Sequence, residues 1–354
     1  MKIFRHRFLM SALLFIMVFF STQILAEDVN GDYLIRQAFQ EILQKGDVNK
    51  VEDLIQKTTN EFPNFKLANY LEAEFYSAMA GKPVALSEKV LVRDSELPHN
   101  LLEEAKLRVS TPNNLTPYRP LQVLKMPENA NYVILIDASL SRAYILKNQN
   151  GEPVWDRDFF ITMGQLGVGK NAEGDQRTPL GLYQVGKEVE KKNLTPFYGI
   201  GALRLDFPNP FDRHLEKSGS GIWLHGVPQS VYNRPSKASD GCIVFTNSDL
   251  RYILKIAHGS NIQVLVTHSV KWLTIKDWRM RYNKLVNEFS TQLVSGSGSK
   301  KSKKELIGVY VPETEGQIIL DRGSMEKSSQ FYREYWEKNG PSWSLKFETR
   351  YKLS

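Results

Sequence analysis

Cysteine occurs once in the 354 residues, at Cys242. That scarcity excludes a disulfide framework, an iron–sulfur cluster and a cysteine-rich zinc site. Beyond the first 26 residues no long apolar run exists, so no stable membrane span is expected there. Charge of one sign is not in large excess. The formal net charge is +7, and without Lys2, Arg5 and Arg7 of the leader 43 cations face 39 anions, a net +4. So small a surplus speaks against nucleic acid as a partner and suits an anionic polymer or surface. Glycine (23) and proline (16) are too few for a collagen-like or wholly disordered chain.

What is present begins with a leader. Residues 1–26 carry three cations and no acidic residue, then an apolar run from Phe8 to Phe20, then Ser21, Thr22 and Ala26. This is the pattern of a secretory signal peptide, with an apolar core too short to span a bilayer. The mature protein is therefore expected to be exported and soluble. In an oxidising compartment a lone cysteine is either buried and inert or a nucleophile, and its neighbours must decide.

Three parts follow the leader. In residues 27–112, Leu34, Ile35, Ala38, Phe39, Ile42 and Leu43 recur at helical spacing, as do Val51, Leu54 and Ile55, and then Leu67, Leu71 and Phe75. A helical, tetratricopeptide-like domain without a second repeat is predicted, with a packing or docking role, such as contact with another protein. The prolines of 113–131 read as a linker. Residues 132–268 change to β character: Tyr132–Asp137, Ala143–Leu146, Asp158–Met163, Leu182–Val185, Gly221–Leu224, Cys242–Phe245 and Ile262–Thr267 read as strands. Asn247, Ser248 and Asp249 offer caps for a helix beyond them. Residues 269–354 form a C-terminal extension. Trp272–Leu293 reads as a long helix, 295–304 as a flexible basic segment, and the aromatics beyond as a small core. The fold class is thus multidomain α+β, with the chemistry in the central, mostly-β part.

That chemistry concentrates between 164 and 247. His225 ends a short apolar run and is followed by Gly226; Cys242 opens another and is preceded by Gly241. A thiol nucleophile needs a base, and an imidazole on an adjacent strand supplies one. Glycine before the nucleophile lets backbone N–H groups approach a developing oxyanion.

The order His225-Gly226, then Ser239-x-Gly241-Cys242, resembles the signature of the L,D-transpeptidase (YkuD-type) catalytic domain. Upstream, Gly164, Lys170, Gly174-Asp175, Arg177-Thr178-Pro179, Gly181 and Tyr183 are similar to the same family's G…K…GD-x-RTP-x-G-x-Y stretch, and the strand pair at 132–146 to its start. The resemblance implies a mostly-β catalytic fold over 132–268, a periplasmic location, peptidoglycan stem peptides as substrate and no metal or cofactor. It makes Cys242 the nucleophile on the carbonyl of the third, diaminopimelate residue, and His225 the general base and proton donor. Gly241 falls in the backbone oxyanion region and Ser239 shapes the loop and orients the base.

Two positions depart from the usual pattern. Asp240 stands where histidine is common, and Val244 where arginine is common. This version resembles a proteobacterial subgroup that includes cell-shape L,D-carboxypeptidases, some of which carry a small C-terminal α+β domain of NTF2-like type.

Lys170, Arg177, Trp223, Asp240 and Gly226 are the candidate substrate-binding residues. Lys170 and Arg177 suit stem-peptide carboxylates, although Asp175 and Arg177 equally suit a structural pair. Trp223 shares a strand face with His225. Asp240 has the chemistry to orient His225, to bind a substrate amine or to make a turn through an Asx hydrogen bond. Tyr198 and Arg234 are further groove candidates. His214 reads as a surface residue, and His99, His258 and His268 lack metal-ligand spacing. An L,D-transpeptidase is the first expectation, an L,D-carboxypeptidase using the same acyl-enzyme the second, and a non-catalytic wall-binding scaffold the third. Thiol reactivity discriminates among these: a low-pKa Cys242 should alkylate quickly at mildly acidic pH, and a buried inert one should not.

Overall fold

Apolar residues at three- and four-residue spacing make three helices of residues 31–81. A computed structural model describes residues 31–81, 97–295, 305–313, 316–323, 330–340 and 342–352. The leader at 1–26 and residues 296–304 of the basic segment lie outside the described residues. The chain divides into two compact units after residue 85. In the first, α1 (Gly31–Leu43), α2 (Val48–Glu61) and α3 (Lys66–Met79) gather Ala38, Val51 and Ile55 against Leu54, Leu71 and Phe75. Asp47 caps α2, accepting from the amide of Asn49.

The second unit begins with α4 (Leu97–Ser110). The expected helical domain 27–112 is therefore divided, its last helix going with the following residues. The reason is local: the Arg108 guanidinium is buried 4.1 Å from the Phe160 ring centre and bonded to Glu104.

The stretch 113–131 is a working part of the fold and not a linker. It forms β1 (Tyr118–Pro120) and β2 (Val123–Lys125), and Leu115, Leu121, Val123, Leu124 and Met126 are buried. Its prolines fall at strand ends and edges, where a missing N–H is tolerated.

The strands β3 (Tyr132–Asp137), β4 (Arg142–Gln149), β5 (Glu152–Phe160), β6 (Met163–Gly164), β7 (Gly181–Glu188) and β8 (Ala202–Leu205) precede the short helix α5 (Pro210–His214). Then come β9 (Trp223–His225), β10 (Lys237–Ser239), β11 (Ile243–Val244), α6 (Asn247–Ala257) and β12 (Ile262–Thr267). One eight-stranded sheet runs in the order β11-β9-β8-β7-β12-β3-β4-β5. Its centre is β12 beside β3, parallel and in register from Ile262–Tyr132 to Thr267–Asp137.

Both strands are largely apolar because both of their faces are covered, with Gln263 the polar exception inside β12. Ile134, Ile136, Val264 and Val266 enter one core with Leu250 and Ile253 of α6. Val133, Leu135 and Leu265 enter a second core with Tyr310, Ile319 and Tyr335.

The second cover is the C-terminal region. It contains β13 (Trp272–Thr274), α7 (Ile275–Ser295), β14 (Glu305–Tyr310), β15 (Gln317–Gly323), β16 (Gln330–Asn339) and β17 (Ser342–Lys352). The long helix starts later than its sequence pattern suggests, because Trp272–Thr274 pairs as a strand with β1. A five-stranded sheet, β17-β16-β15-β14-β2, recruits β2 from the stretch before β3. The C-terminal aromatics do form a core: Tyr310, Phe331, Tyr335 and Trp343 are buried. The two sheets are joined by polar groups as well. Arg333 binds Asp321 bidentately at 2.8 and 2.9 Å, both side chains fully buried, and Gln263 of β12 donates to Asp321 at 3.2 Å. Among the described residues no helix is long and apolar enough to cross a membrane.

Candidate active site

His225 is the last residue of β9, and Cys242 immediately precedes β11. The two strands are parallel neighbours at the sheet edge, with Ile243 opposite Leu224 and Val244 opposite His225. Side chains alternate across a strand. Leu224 and Ile243 enter the first core, so Trp223 and His225 project to the other face, and Cys242 continues that alternation one residue ahead of Ile243. The pairing of β9 with β11 brings together the strand that ends in His225 and the strand that Cys242 precedes, two residues separated by sixteen others in sequence.

The imidazole is almost wholly buried, at 1 % exposure. Its Nδ1 lies 2.7 Å from the carbonyl oxygen of Gly226. A carbonyl only accepts, so Nδ1 carries the proton and Nε2 has the lone pair. Rings pack around it: Tyr198 edge-on at 5.0 Å and Phe197 at 6.0 Å between centroids. Burial pulls the His225 pKa down to about 4; the Gly226 carbonyl opposes this and the Arg234 charge adds to it.

The Cys242 thiol is partly exposed and donates to the Gly221 carbonyl at 3.3 Å. Burial pushes its pKa up. The Trp223 amide pulls it back, Asp240 raises it, and Arg234 and Lys170 lower it. Both shifts favour uncharged forms, so the resting pair is thiol and neutral imidazole. Desolvation of the thiol outweighs the nearby cations.

Ser239 and Gly241 build the turn that presents the thiol. The Ser239 hydroxyl donates to the Cys242 carbonyl at 2.6 Å and accepts from the Gly241 amide at 3.1 Å. Ser239 thus spends its hydroxyl on the loop, and the orientation of His225 comes from Gly226. Gly241 has φ +122°, and a Cβ there would stand 2.6 Å from the Arg177 carbonyl oxygen. Thr178 locks the same corner, donating to the Gly241 carbonyl at 3.0 Å and accepting from the Gly164 amide at 3.0 Å.

The loop 164–178 consumes both of its candidate binding cations. Lys170 is buried and donates to Asp175 at 2.8 Å and to the Ala172 carbonyl at 2.9 Å. Partial burial pushes the Asp175 carboxyl up, but Lys170 and the amides of Ala172, Asn171 and Arg177 outweigh it and hold it well below the usual carboxylate range. Arg177 donates to the Val168 carbonyl at 3.0 Å. The structural partner of Asp175 is thus the Lys170 side chain, with only the backbone amide of Arg177 bonded to that carboxylate.

Asp240 is exposed; it accepts from Gln176 at 3.4 Å, and no bond joins it to His225. Trp223 sits beside Tyr198, 5.0 Å between centroids. Gly226 donates its amide to the Tyr198 carbonyl at 3.1 Å, and a Cβ on it would collide with Asn247 Oδ1.

Asn247 was foreseen only as a helix cap. Thr246 takes the capping role, accepting from the Asp249 amide. Asn247 instead staples the segment after His225, donating to the Val227 carbonyl at 2.8 Å and accepting from the amides of Val227 and Ile200 at 3.3 Å. Thr178 stood in a quoted motif without an assigned role. The ring of Phe197 had no sequence signal at all. His214 is exposed and stacks on Phe347 at 4.8 Å, away from this centre. Among the described residues no three His, Cys, Asp or Glu side chains are grouped to hold a metal ion.

Residues 131–266 match the family model YkuD, the L,D-transpeptidase catalytic domain. That span begins at β3, ends in β12 and includes the whole centre just described. No curated protein sequence matches the chain. Among solved structures, Bd1075 of Bdellovibrio bacteriovorus is similar at 19 % identity over 67 % of this chain and 99 % of that one, with a TM-score of 0.53. The helical cell shape determining protein Pgp2 of Campylobacter jejuni aligns at 16 % identity, 71 % and 92 % coverage and a TM-score of 0.40. An L,D-transpeptidase (Yku) of Stackebrandtia nassauensis aligns at 12 % identity, 49 % and 70 % coverage and a TM-score of 0.28. The first of these is a likeness of fold.

Proposed function

We propose that this chain is an exported L,D-transpeptidase that acts on peptidoglycan stem peptides through a thioester on Cys242. The observation that carries the reading is the parallel pairing of β9, which ends in His225 with its tautomer held by Gly226, with β11, which Cys242 immediately precedes. The family match over 131–266 supports the substrate class.

In this reading Nε2 of His225 takes the Cys242 proton as Sγ attacks the carbonyl carbon of the third stem residue. A neutral imidazole is required for that step, and burial keeps it neutral. The negative charge that forms on the carbonyl oxygen is met by the Cys242 amide, because the Gly241 amide is already engaged by Ser239. Collapse breaks the C–N bond, and the imidazolium protonates the departing amine of the D-residue. An acceptor amine then gives its proton to Nε2 and attacks the thioester, and the thiol is restored. The scaffold alternative leaves both the buried imidazole and the braced turn at Cys242 without a purpose.

The test uses residues 27–354 and a Cys242→Ala control with purified disaccharide-tetrapeptides, read by mass spectrometry. A 3–3 dimer, or exchange of an added D-amino acid into the fourth position, is the expected product. Tripeptide without dimer would make water the acceptor and the enzyme an L,D-carboxypeptidase. No product beyond the control would overturn the reading.

A further inference from the structure

Arg234 is the cation that the architecture of the site leaves uncommitted. The charged side chains acting on the Cys242 thiol are Asp240, Arg234 and Lys170. Lys170 is spent on Asp175, and Asp240 has the opposite sign. Arg177, in the neighbouring loop, is bonded to Val168. Arg234 has no carboxylate partner among the described residues, and its side chain makes one long hydrogen bond, from Nη2 to the Phe197 carbonyl at 3.5 Å.

The residue is nonetheless held in place. Its Cζ lies 4.0 Å from the centre of the Phe197 ring, and that ring is 6.0 Å from the imidazole of His225. Its backbone carbonyl accepts from Thr162 Oγ1 at 3.1 Å and from Asn233 Nδ2 at 3.0 Å. Asn233 is in turn bonded to Glu104, the buried partner of Arg108. A helix outside the catalytic sheet therefore braces this one loop position. A guanidinium lying on a ring keeps its in-plane N–H fork available, and that fork fits a carboxylate bidentately.

We propose that Arg234 binds the free α-carboxylate of the D-residue that is expelled, and so selects stem peptides that end one residue beyond the scissile bond. The inference rests on Cys242 being the nucleophile. The leaving residue carries a carboxylate only when it is terminal, and that carboxylate is separated from the scissile nitrogen by a single Cα. A cation lying over Phe197, the ring beside His225, is suited to reach it. A longer or amidated stem offers a neutral carbonyl there, which the fork binds more weakly.

The test compares the disaccharide-tetrapeptide with the same molecule ending in a carboxamide. The mature chain, Arg234→Gln, Arg234→Lys and Cys242→Ala are assayed on both, with KM and kcat separated. The mature chain is expected to favour the acid by about 10- to 100-fold in kcat/KM, the factor typical of a charge-assisted hydrogen bond. Arg234→Gln is expected to bring that ratio near one, chiefly by raising KM for the acid, and Arg234→Lys to restore part of it. An undiminished ratio in Arg234→Gln, or no preference in the mature chain, overturns the proposal and leaves Cys242 as nucleophile. Turnover of neither substrate beyond the Cys242→Ala level overturns the underlying reading as well.

Discussion

The Nδ1 of His225 donates to the carbonyl oxygen of its own neighbour, Gly226, at 2.7 Å. No carboxylate is needed to choose the tautomer. Gly226 is itself fixed, its amide on Tyr198 and its Cα against Asn247. A buried neutral imidazole has consequences for both stability and reactivity.

The first concerns acid stability. The His225 pKa is about 4 in the folded chain, against an ordinary value of 6.5. Between those values the unfolded chain binds a proton that the folded chain refuses. This contribution is therefore complete above pH 6.5 and is lost as pH falls through the folded pKa, on the order of 3 kcal/mol. His225→Gln does not titrate there, so its urea midpoint should fall less than the wild type's between pH 7 and pH 4.5. Parallel losses would mean that His225 is not held neutral.

The second concerns the thiol. With burial pushing the Cys242 pKa up, the rate of alkylation by iodoacetamide should stay low at mildly acidic pH and climb only above the ordinary thiol range. A rate already at its plateau near pH 6 would point to a thiolate–imidazolium pair at rest.

Ser239→Ala removes the acceptor of the Gly241 amide and the donor to the Cys242 carbonyl. Loss of these bonds should cost about 1–3 kcal/mol of stability. It should lower kcat more than it changes KM, because the turn that aims the thiol loosens while the groove persists. Denaturant titration and steady-state kinetics on one preparation check both.

At the other end of the molecule, Asp321→Ala would strand the Arg333 guanidinium, fully buried beneath β12. Breaking such a pair from one side typically costs about 3–5 kcal/mol. Replacing both residues with apolar ones should recover much of that. A single variant as stable as the wild type would show that water reaches Arg333.

Much of this was legible in the residues. The runs Tyr132–Asp137 and Ile262–Thr267 appear as strands with the expected bounds, because short runs dominated by β-branched and apolar residues favour a buried strand. The motifs around His225 and Cys242 lead to one corner, since each combines a glycine-permitted turn with a short apolar strand. The stretch 113–131 misled through its prolines. They mark chain ends of strands here, and the apolar residues between them are what pack. Lys170 and Arg177 have the charge for a ligand, but whether a cation is spent internally depends on where the loop returns, which no local pattern records.

Local residue patterns are enough for the strand runs, the leader pattern and the chemistry available: one thiol, an imidazole at the end of a nearby apolar run, and glycines where the backbone must come close. That apolar runs such as Val133–Ile136 need cover on both faces also follows from composition alone. What supplies the cover is settled by the folded chain, namely a C-terminal sheet that recruits β2 from across the chain. It likewise decided that His225 and Cys242 rest uncharged and that Arg234, not Lys170, keeps its charge free beside them. The reason is common to all three. Desolvation and charge pairing are set by groups distant in sequence, and those groups meet only when the sheets close.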